Sequence, residues 1–362
     1  MRPKTVVVTG ATGFVGGAIA LELLAVTDVT VYGLTRAENQ AAATRRLNDY
    51  LTKAAVLYGR PELLPAIDER VQAIHGDLED PELPGRLPES AHDLMIHSAA
   101  SLKFSERDAP ELQRVNVEGT RALVRFAEQV GINRLVHVST AYVAGRRTGV
   151  IREDDPAPGD YYNEYERTKA DAEALVREAA IDTRIVRPSV VIGHRETAAT
   201  ASSTGYYAML RASSRLHRFM RTAGIPGAIR VLADSQQELN LIPVDMVAAA
   251  AVRIALSDSD QRVFHVTNDQ APRLFDVFEA GFRLLDLPMP VFTDDPDSLS
   301  PLDRRLSSKF YDSYINSSKI FDTTNTVDIC GPEAMTYPMD TEVLDRYSAW
   351  YLDNVLAAPA GR

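Results

Sequence analysis

The chain has 362 residues, enough for one large domain or two small ones, and its 45% hydrophobic and 25% charged content is that of a globular protein with ample core. A net charge of −11 argues against a general nucleic-acid binder, a single cysteine allows no intrachain disulfide, and the scattered histidines show no metal-ligand spacing. The longest apolar run, MVAAAAVRIAL, is broken by Arg253, and MRPKTVVVTG enters a strand without a signal-like apolar stretch, so no membrane span and a reducing, cytoplasmic setting are expected.

In chain order, short β-branched runs alternate with helical patterns. TVVVTG precedes GGAIALELLA, VTVYGLTR precedes AAATRRLNDYL, then come VQAIHGD, DLMIHSAA, ELQRVNVEGTRALVRFAEQV, RLVHVST, a helix opening near YYNEYERTK, and TRIVRPSVVIG. This is the pattern of βα units winding a parallel sheet with helices on both faces, in a Rossmann-like α/β fold. After VVIG a Ser/Thr/Ala-rich segment leaves the sheet. The chain is expected to return at LNLIPVDMVAAAAVRIAL, read as a helix, and at RVFHVTN, a late strand, before an irregular Pro/Asp/Ser-rich cap from about 270. The predicted division is a nucleotide-binding domain of 1–193 plus about 236–270, and a substrate cap of about 194–235 plus 271–362.

The first strand ends in TGATGFVGG, with Gly10, Gly13 and Gly16 spaced for a tight turn into a helix N-terminus, where free N–H groups and the helix dipole bind a pyrophosphate. Twenty residues past Gly16, where an acid would hold the ribose hydroxyls of NAD, stands Arg36. Arginine there favours a 2′-phosphate and hence NADPH. Arg46 is a second candidate for that phosphate, with a solvated helix charge as the alternative.

YYNEYERTKADAE follows the turn-forming PAPGD and gains helix formers. Tyr165 and Lys169 stand at i, i+4 on one face, whereas Tyr161, on the same predicted face, is roughly 12 Å from Lys169 along the axis at 1.5 Å per residue. Only Tyr165 can partner the lysine.

TGATGFVGG, the GDL of Gly76 to Leu78, HSAA, NVEGT, VSTAYVAG, YERTK and RPSVVIG together resemble the extended short-chain dehydrogenase/reductases. IHSAASLKFSE, VSTAYV, LNLIPVDMV and the paired arginines of LTRAENQAAATRRL resemble its thioester-reductase and fatty acyl-CoA reductase (male-sterility-type) branch. Thr168 and Ala170 stand where that branch commonly has serine and tryptophan. The resemblance implies NADPH-dependent reduction of an acyl thioester, borne by coenzyme A or a carrier protein, to aldehyde or alcohol. Tyr165 is then the proton donor, Lys169 lowers its pKa and holds ribose, and Thr140, with Ser139 as runner-up, binds the substrate oxygen. It further implies a cofactor site of Gly10, Thr12, Gly13, Phe14, Val15, Gly16, Arg36, Arg46, Asp77, Leu78, Ser98, Ala99, Ala100, Ser139, Tyr165, Lys169, Pro188, Ser189 and Val191. A substrate site of Lys103, Phe104, Thr140, Ala141 and Tyr142 follows as well.

Other residues have plainer readings. His97 either lines the cofactor trough or packs against the sheet, Asn116 packs a helix or fixes the active-site backbone, Pro243 and Asp245 start a helix, and Cys330 is a buried thiol of the cap. A nucleotide-sugar or hydroxysteroid dehydrogenase and a non-catalytic NADP sensor stay open as alternatives, as does the oligomeric state. Arg211, Arg215 and Arg218 fall at i, i+4 and i+7 in a stretch from Thr197 to Ala233 without an acid, and a basic helix face that docks the acidic part of the substrate is expected there, against the plainer reading of a solvated face.

Overall fold

The computed structural model of the chain describes residues 3–78, 80, 82–87, 93–104, 106–223, 227–307, 315 and 318–357. Ser105 of the SLKFSE motif lies outside them. In chain order the strands are β1 (Thr5–Thr9), β2 (Thr30–Thr35), β3 (Val71–His75), β4 (Leu94–His97), β5 (Arg134–Val138), β6 (Gly149–Ile151), β7 (Asp182–Pro188), β8 (Val190–Ile192), β9 (Arg230–Leu232), β10 (Leu241–Pro243), β11 (Val263–Val266), β12 (Val291–Thr293) and β13 (Lys319–Phe321).

Seven of them form one parallel sheet in the order β11-β7-β5-β4-β1-β2-β3. β1, β4, β5 and β11 are buried along their whole length, which is why they read as continuous apolar runs rather than alternating ones. Chain direction across the sheet reverses between β1 and β4, opening a crevice at their carboxyl ends where such folds take ligands. Register aligns those ends, with Thr9 beside His97 and His97 beside His137. The helices Phe14–Val26 and Val244–Leu256 pack on each other over one face of the sheet.

A second apolar core belongs to the cap. It joins the helices Tyr206–Ala223, Leu274–Leu284 and Thr341–Tyr351 around Tyr207, Phe278, Phe282 and Tyr347. The region after 270 is therefore regular where an irregular cap was expected, because its polar residues serve as caps and turns between short amphipathic helices. Asp340, for example, accepts from the Val343 amide at 2.9 Å to start the last of these helices. Two further expectations are corrected. Leu241–Pro243 is a strand paired with β8, and the helix begins only at Val244, with Pro243 as its N-cap and Asp245 in its first turn. Residues near Cys330 also return from the cap to the sheet domain. Cys330 and Met335 pack in the main core against Ala250 and its neighbours, and burial pushes the thiol up to about 11.

Candidate active site

The floor of the crevice is the glycine loop. Gly10 has φ +73, and a Cβ there would lie 2.7 Å from the Ala99 amide nitrogen, so the turn after β1 and the end of β4 touch through backbone alone. Gly13 caps the helix Phe14–Val26 with no side-chain cap and no acid in the first turn, leaving its N–H groups for an anion. A cleft of about 290 Å³ opens above it. Gly10, Thr12, Gly13, Phe14, Val15, Gly16, Arg36, Arg46, Asp77, Leu78, Ser98, Ala99 and Ala100 all line this cleft. So do Leu34, Leu102, Arg114 and Val115, which carry no local motif and went unnoticed in the sequence.

Arg46 lies on the rim of this cleft. It donates to the Arg36 carbonyl at 2.7 Å, which places both guanidinium groups on the rim beyond β2, where Arg36 also lies 3.7 Å from Asp77. The residues present fit a nicotinamide dinucleotide, with free amides for the pyrophosphate and two cations at the adenosine end.

The other half of the site is the helix Glu164–Arg177. Asn163 caps it by accepting from the Glu166 amide at 2.9 Å, while Glu166 accepts from the Tyr162 amide at 3.0 Å. The helix therefore starts too late to include Tyr161, which was expected on the same face. Tyr165 is buried, with its ring centroid 5.0 Å from that of Phe104. Lys169 is buried too, and its Nζ donates to the Val138 carbonyl at 2.8 Å and lies 3.3 Å from His137 Nε2. This anchor docks the helix on the end of β5, immediately before Ser139 and Thr140. Thr140 starts the turn Ala141–Ala144 and accepts from the Tyr142 amide at 3.2 Å, leaving its own proton for a further partner. Ser139 differs. Its hydroxyl makes no well-aligned hydrogen bond, yet it sits near enough to Glu173 to favour the charged carboxylate, away from the cleft lining.

Electrostatics here is dominated by burial. Burial pushes the Tyr165 hydroxyl well above the ordinary tyrosine value and Glu166 adds to the rise, so the expected lowering by Lys169 is absent from the chain by itself. The Lys169 ammonium is engaged by the Val138 carbonyl and His137. Burial also lowers Lys169 to about 8 and His97 to about 3. His97 is thus neutral, with Nδ1 2.6 Å from Thr9 Oγ1 and Nε2 3.2 Å from Thr120 Oγ1, and it both packs in the sheet and borders the cleft. Burial raises Glu166 to about 7, only partly offset by the Tyr162 amide that it accepts from and by Lys319, whose buried Nζ has no hydrogen-bond partner.

Asn116 fixes the backbone around the tyrosine. Its Oδ1 accepts from the Ser101 amide at 2.8 Å and its Nδ2 donates to Thr168 Oγ1 at 3.2 Å, and Thr168 in turn donates to the Tyr165 carbonyl at 3.1 Å. Of the remaining expected residues, Lys103 is held by Glu111 and Asp108, and Tyr142 is buried in the cap core against Phe321. Pro188 ends β7, Val191 lies in β8, and the buried Ser189 hydroxyl has no partner; none of the three lines the cleft. His137, Glu166 and Lys319 went unnoticed because nothing local marks them. Among the described residues no group of His, Cys, Asp and Glu could hold a metal, and no helix is long and apolar enough to cross a membrane.

A doubly wound sheet with a glycine-floored crevice and a buried Tyr-x-x-x-Lys helix beside it defines the class of the extended short-chain dehydrogenase/reductases. The model of the family described as "Male sterility protein" matches residues 8–251, and the chain belongs to that family, a branch of NAD(P)-dependent oxidoreductases that includes thioester and fatty acyl-CoA reductases. A curated relative, "Aldehyde reductase lnaA" of Aspergillus flavus, is 26% identical over an alignment of 393 positions covering 94% of this chain and 35% of the relative. The chain thus spans about a third of that protein's length. Among solved structures, the terminal R domain from the myxalamid PKS-NRPS biosynthetic pathway aligns with a TM-score of 0.77 at 23% identity over 98% of this chain and 92% of that one. A thiolation-reductase di-domain from an archaeal non-ribosomal peptide synthetase aligns with a TM-score of 0.75 at 20% identity over 98% and 91%.

Proposed function

We propose that the chain is an NADPH-dependent reductase of acyl thioesters, acting through Tyr165, Thr140 and Lys169. The observation that carries this reading is the docking of Lys169 Nζ on the Val138 carbonyl, which brings the Tyr165 helix to the strand end bearing Thr140. Family membership and the terminal reductase domain among the structural neighbours support the thioester as substrate.

A bound nicotinamide supplies the hydride. Its arrival at the thioester carbon builds negative charge on the oxygen, which the Thr140 hydroxyl, already engaged by the Tyr142 amide, would hold. Tyr165, kept protonated by burial and by Glu166, gives that oxygen its proton. Phe104 shields the phenol from water. The resulting hemithioacetal expels thiol and leaves the aldehyde, and a second round would give the alcohol. Lys169 spends two of its three N–H donors on Val138 and His137 and keeps one for the cofactor ribose.

Arg36 and Arg46 support the choice of NADPH, because two guanidinium groups suit a phosphate dianion. The test is absorbance of NADPH and of NADH with octanoyl-CoA, a carrier-bound octanoyl thioester, a nucleotide sugar and a hydroxysteroid. Turnover of a thioester with NADPH is expected, and Arg36→Ala should weaken NADPH far more than NADH. Equal weakening removes the case for the 2′-phosphate, and turnover of only the sugar or steroid removes the thioester.

A further inference from the structure

The helix Tyr206–Ala223 is built asymmetrically. Tyr206, Tyr207, Met209 and Leu210 at its start are buried in the cap core with Tyr142, and Phe104, whose ring lies tilted 5.0 Å from that of Tyr165, borders that same core. One end of the helix therefore belongs to the core that Phe104, the ring neighbour of Tyr165, borders. Toward the other end Arg215, Arg218 and Arg221 are exposed, and Phe219 beside them is 46% exposed. At 100° per residue these three arginines span about a third of the helix circumference.

What marks the three arginines is their run along one face without a counter-charge. Arg134, Arg167, Arg187, Arg273 and Arg283 each lie on a carboxylate, whereas among the described residues the side chains of Arg215, Arg218 and Arg221 meet none. No acid occurs from Thr197 to Ala233, although the whole chain carries a charge of −11. Arg211, expected on the same face, instead turns back to the Ser203 carbonyl, so the free stripe begins at Arg215.

We propose that this stripe, flanked by Phe219, is the docking surface for an acidic acyl-carrier domain whose phosphopantetheine-borne thioester reaches the site beside Tyr165. The proposal rests on the thioester reading above. Three features of the helix suit a carrier-borne thioester, and of these the exposed aromatic favours a protein over free coenzyme A, which has several phosphates and the same arm. From Arg215 to Arg221 the charges spread over about 9 Å at 1.5 Å per residue, wider than one phosphate. An exposed aromatic next to them is the kind of surface that protein contact covers. From Tyr206 to Arg218 the helix runs about 18 Å, the length of about five extended residues and the scale of a pantetheine arm. Unpaired cations on an otherwise acidic molecule also steer an acidic partner to this one face.

The test compares the chain with its Arg215→Glu/Arg218→Glu variant on three octanoyl thioesters, of an isolated acidic acyl carrier protein, of coenzyme A and of uncharged N-acetylcysteamine. The variant should raise KM for the carrier thioester about tenfold or more and flatten the salt dependence of its kcat/KM, with the N-acetylcysteamine thioester nearly unaffected. An unchanged KM for the carrier overturns the proposal. So does an equal loss with N-acetylcysteamine, which makes the stripe part of the fold, or an equal loss with coenzyme A, which makes it a phosphate site. If the unaltered chain reduces no thioester at all, the thioester reading falls first. Docking is then decided by fluorescence anisotropy of the labelled carrier, where about tenfold weaker binding by the variant upholds it and undiminished binding overturns it.

Discussion

Tyr161 and Tyr165 stand four residues apart, yet only Tyr165 is inside the helix that Asn163 caps and under the ring of Phe104. Tyr165→Phe should lower kcat by about 10²- to 10⁴-fold while leaving cofactor affinity unchanged, and Tyr161→Phe should stay near wild type. Steady-state kinetics and a cofactor titration check both, and a reversed ranking removes Tyr165 from its role. Glu166, next in sequence, makes a separate prediction. Burial raises its carboxyl from 4.5 to about 7, so the folded chain binds more protons than the unfolded one across that window, and stability contributed by this group falls as pH rises through it. Glu166→Gln lacks the effect. Its Tm relative to wild type should climb between about pH 4.5 and 7, by an amount corresponding to up to about 3 kcal/mol. A difference that stays flat with pH would show that the carboxylate is not strained by its burial.

At the scale of elements, the helix Glu164–Arg177 is clamped to β7 as well as to β5. Arg187 donates to Glu173 through Nε at 2.9 Å and Nη2 at 2.7 Å, with both side chains 5% exposed. Burial pushes Glu173 up, but the Arg187 guanidinium, joined by Ser139 and Arg177, outweighs it and holds the carboxyl below the ordinary range. Glu173→Gln leaves a buried guanidinium without its anion and should cost about 3–5 kcal/mol in urea unfolding, while Glu173→Gln with Arg187→Met should recover part of that loss. A single variant as stable as wild type contradicts the clamp. The Tyr-x-x-x-Lys spacing and the glycine turn were legible in the sequence, because each is a relation within about seven residues, whereas the cap at Asn163, which leaves Tyr161 outside the helix, was not. The pairs Glu173 with Arg187 and Lys169 with Val138 span 14 and 31 positions, and no local period marks them.

Over the whole molecule, two apolar cores are joined at the end of β11 by Asn268. Its Nδ2 donates to the Tyr337 carbonyl at 2.9 Å, its Oδ1 accepts from the Tyr337 amide at 3.0 Å, and its backbone pairs with the Asn240 side chain. Asn268→Ala strands two backbone groups of Tyr337 and should lower stability by about 1–3 kcal/mol per group left unpaired. Because the loss falls on the segment leading into the Thr341–Tyr351 helix, KM for the acyl substrate should rise more than KM for the cofactor. Equal changes in both would mean that Asn268 serves general stability and not the setting of the cap.

The sequence by itself determined the parallel sheet, the cofactor crevice and the helix bearing Tyr165 and Lys169, since buried strands, glycine turns and i, i+4 spacing are local and periodic. Only the tertiary structure decided that Cys330 belongs to the sheet domain, that Leu241–Pro243 is a strand, and that burial raises Tyr165 against the pull expected of Lys169. Strand partners and desolvation depend on what surrounds a residue in space, and a Leu-Ile-Pro or a lone tyrosine reads the same in sequence whatever later closes over it.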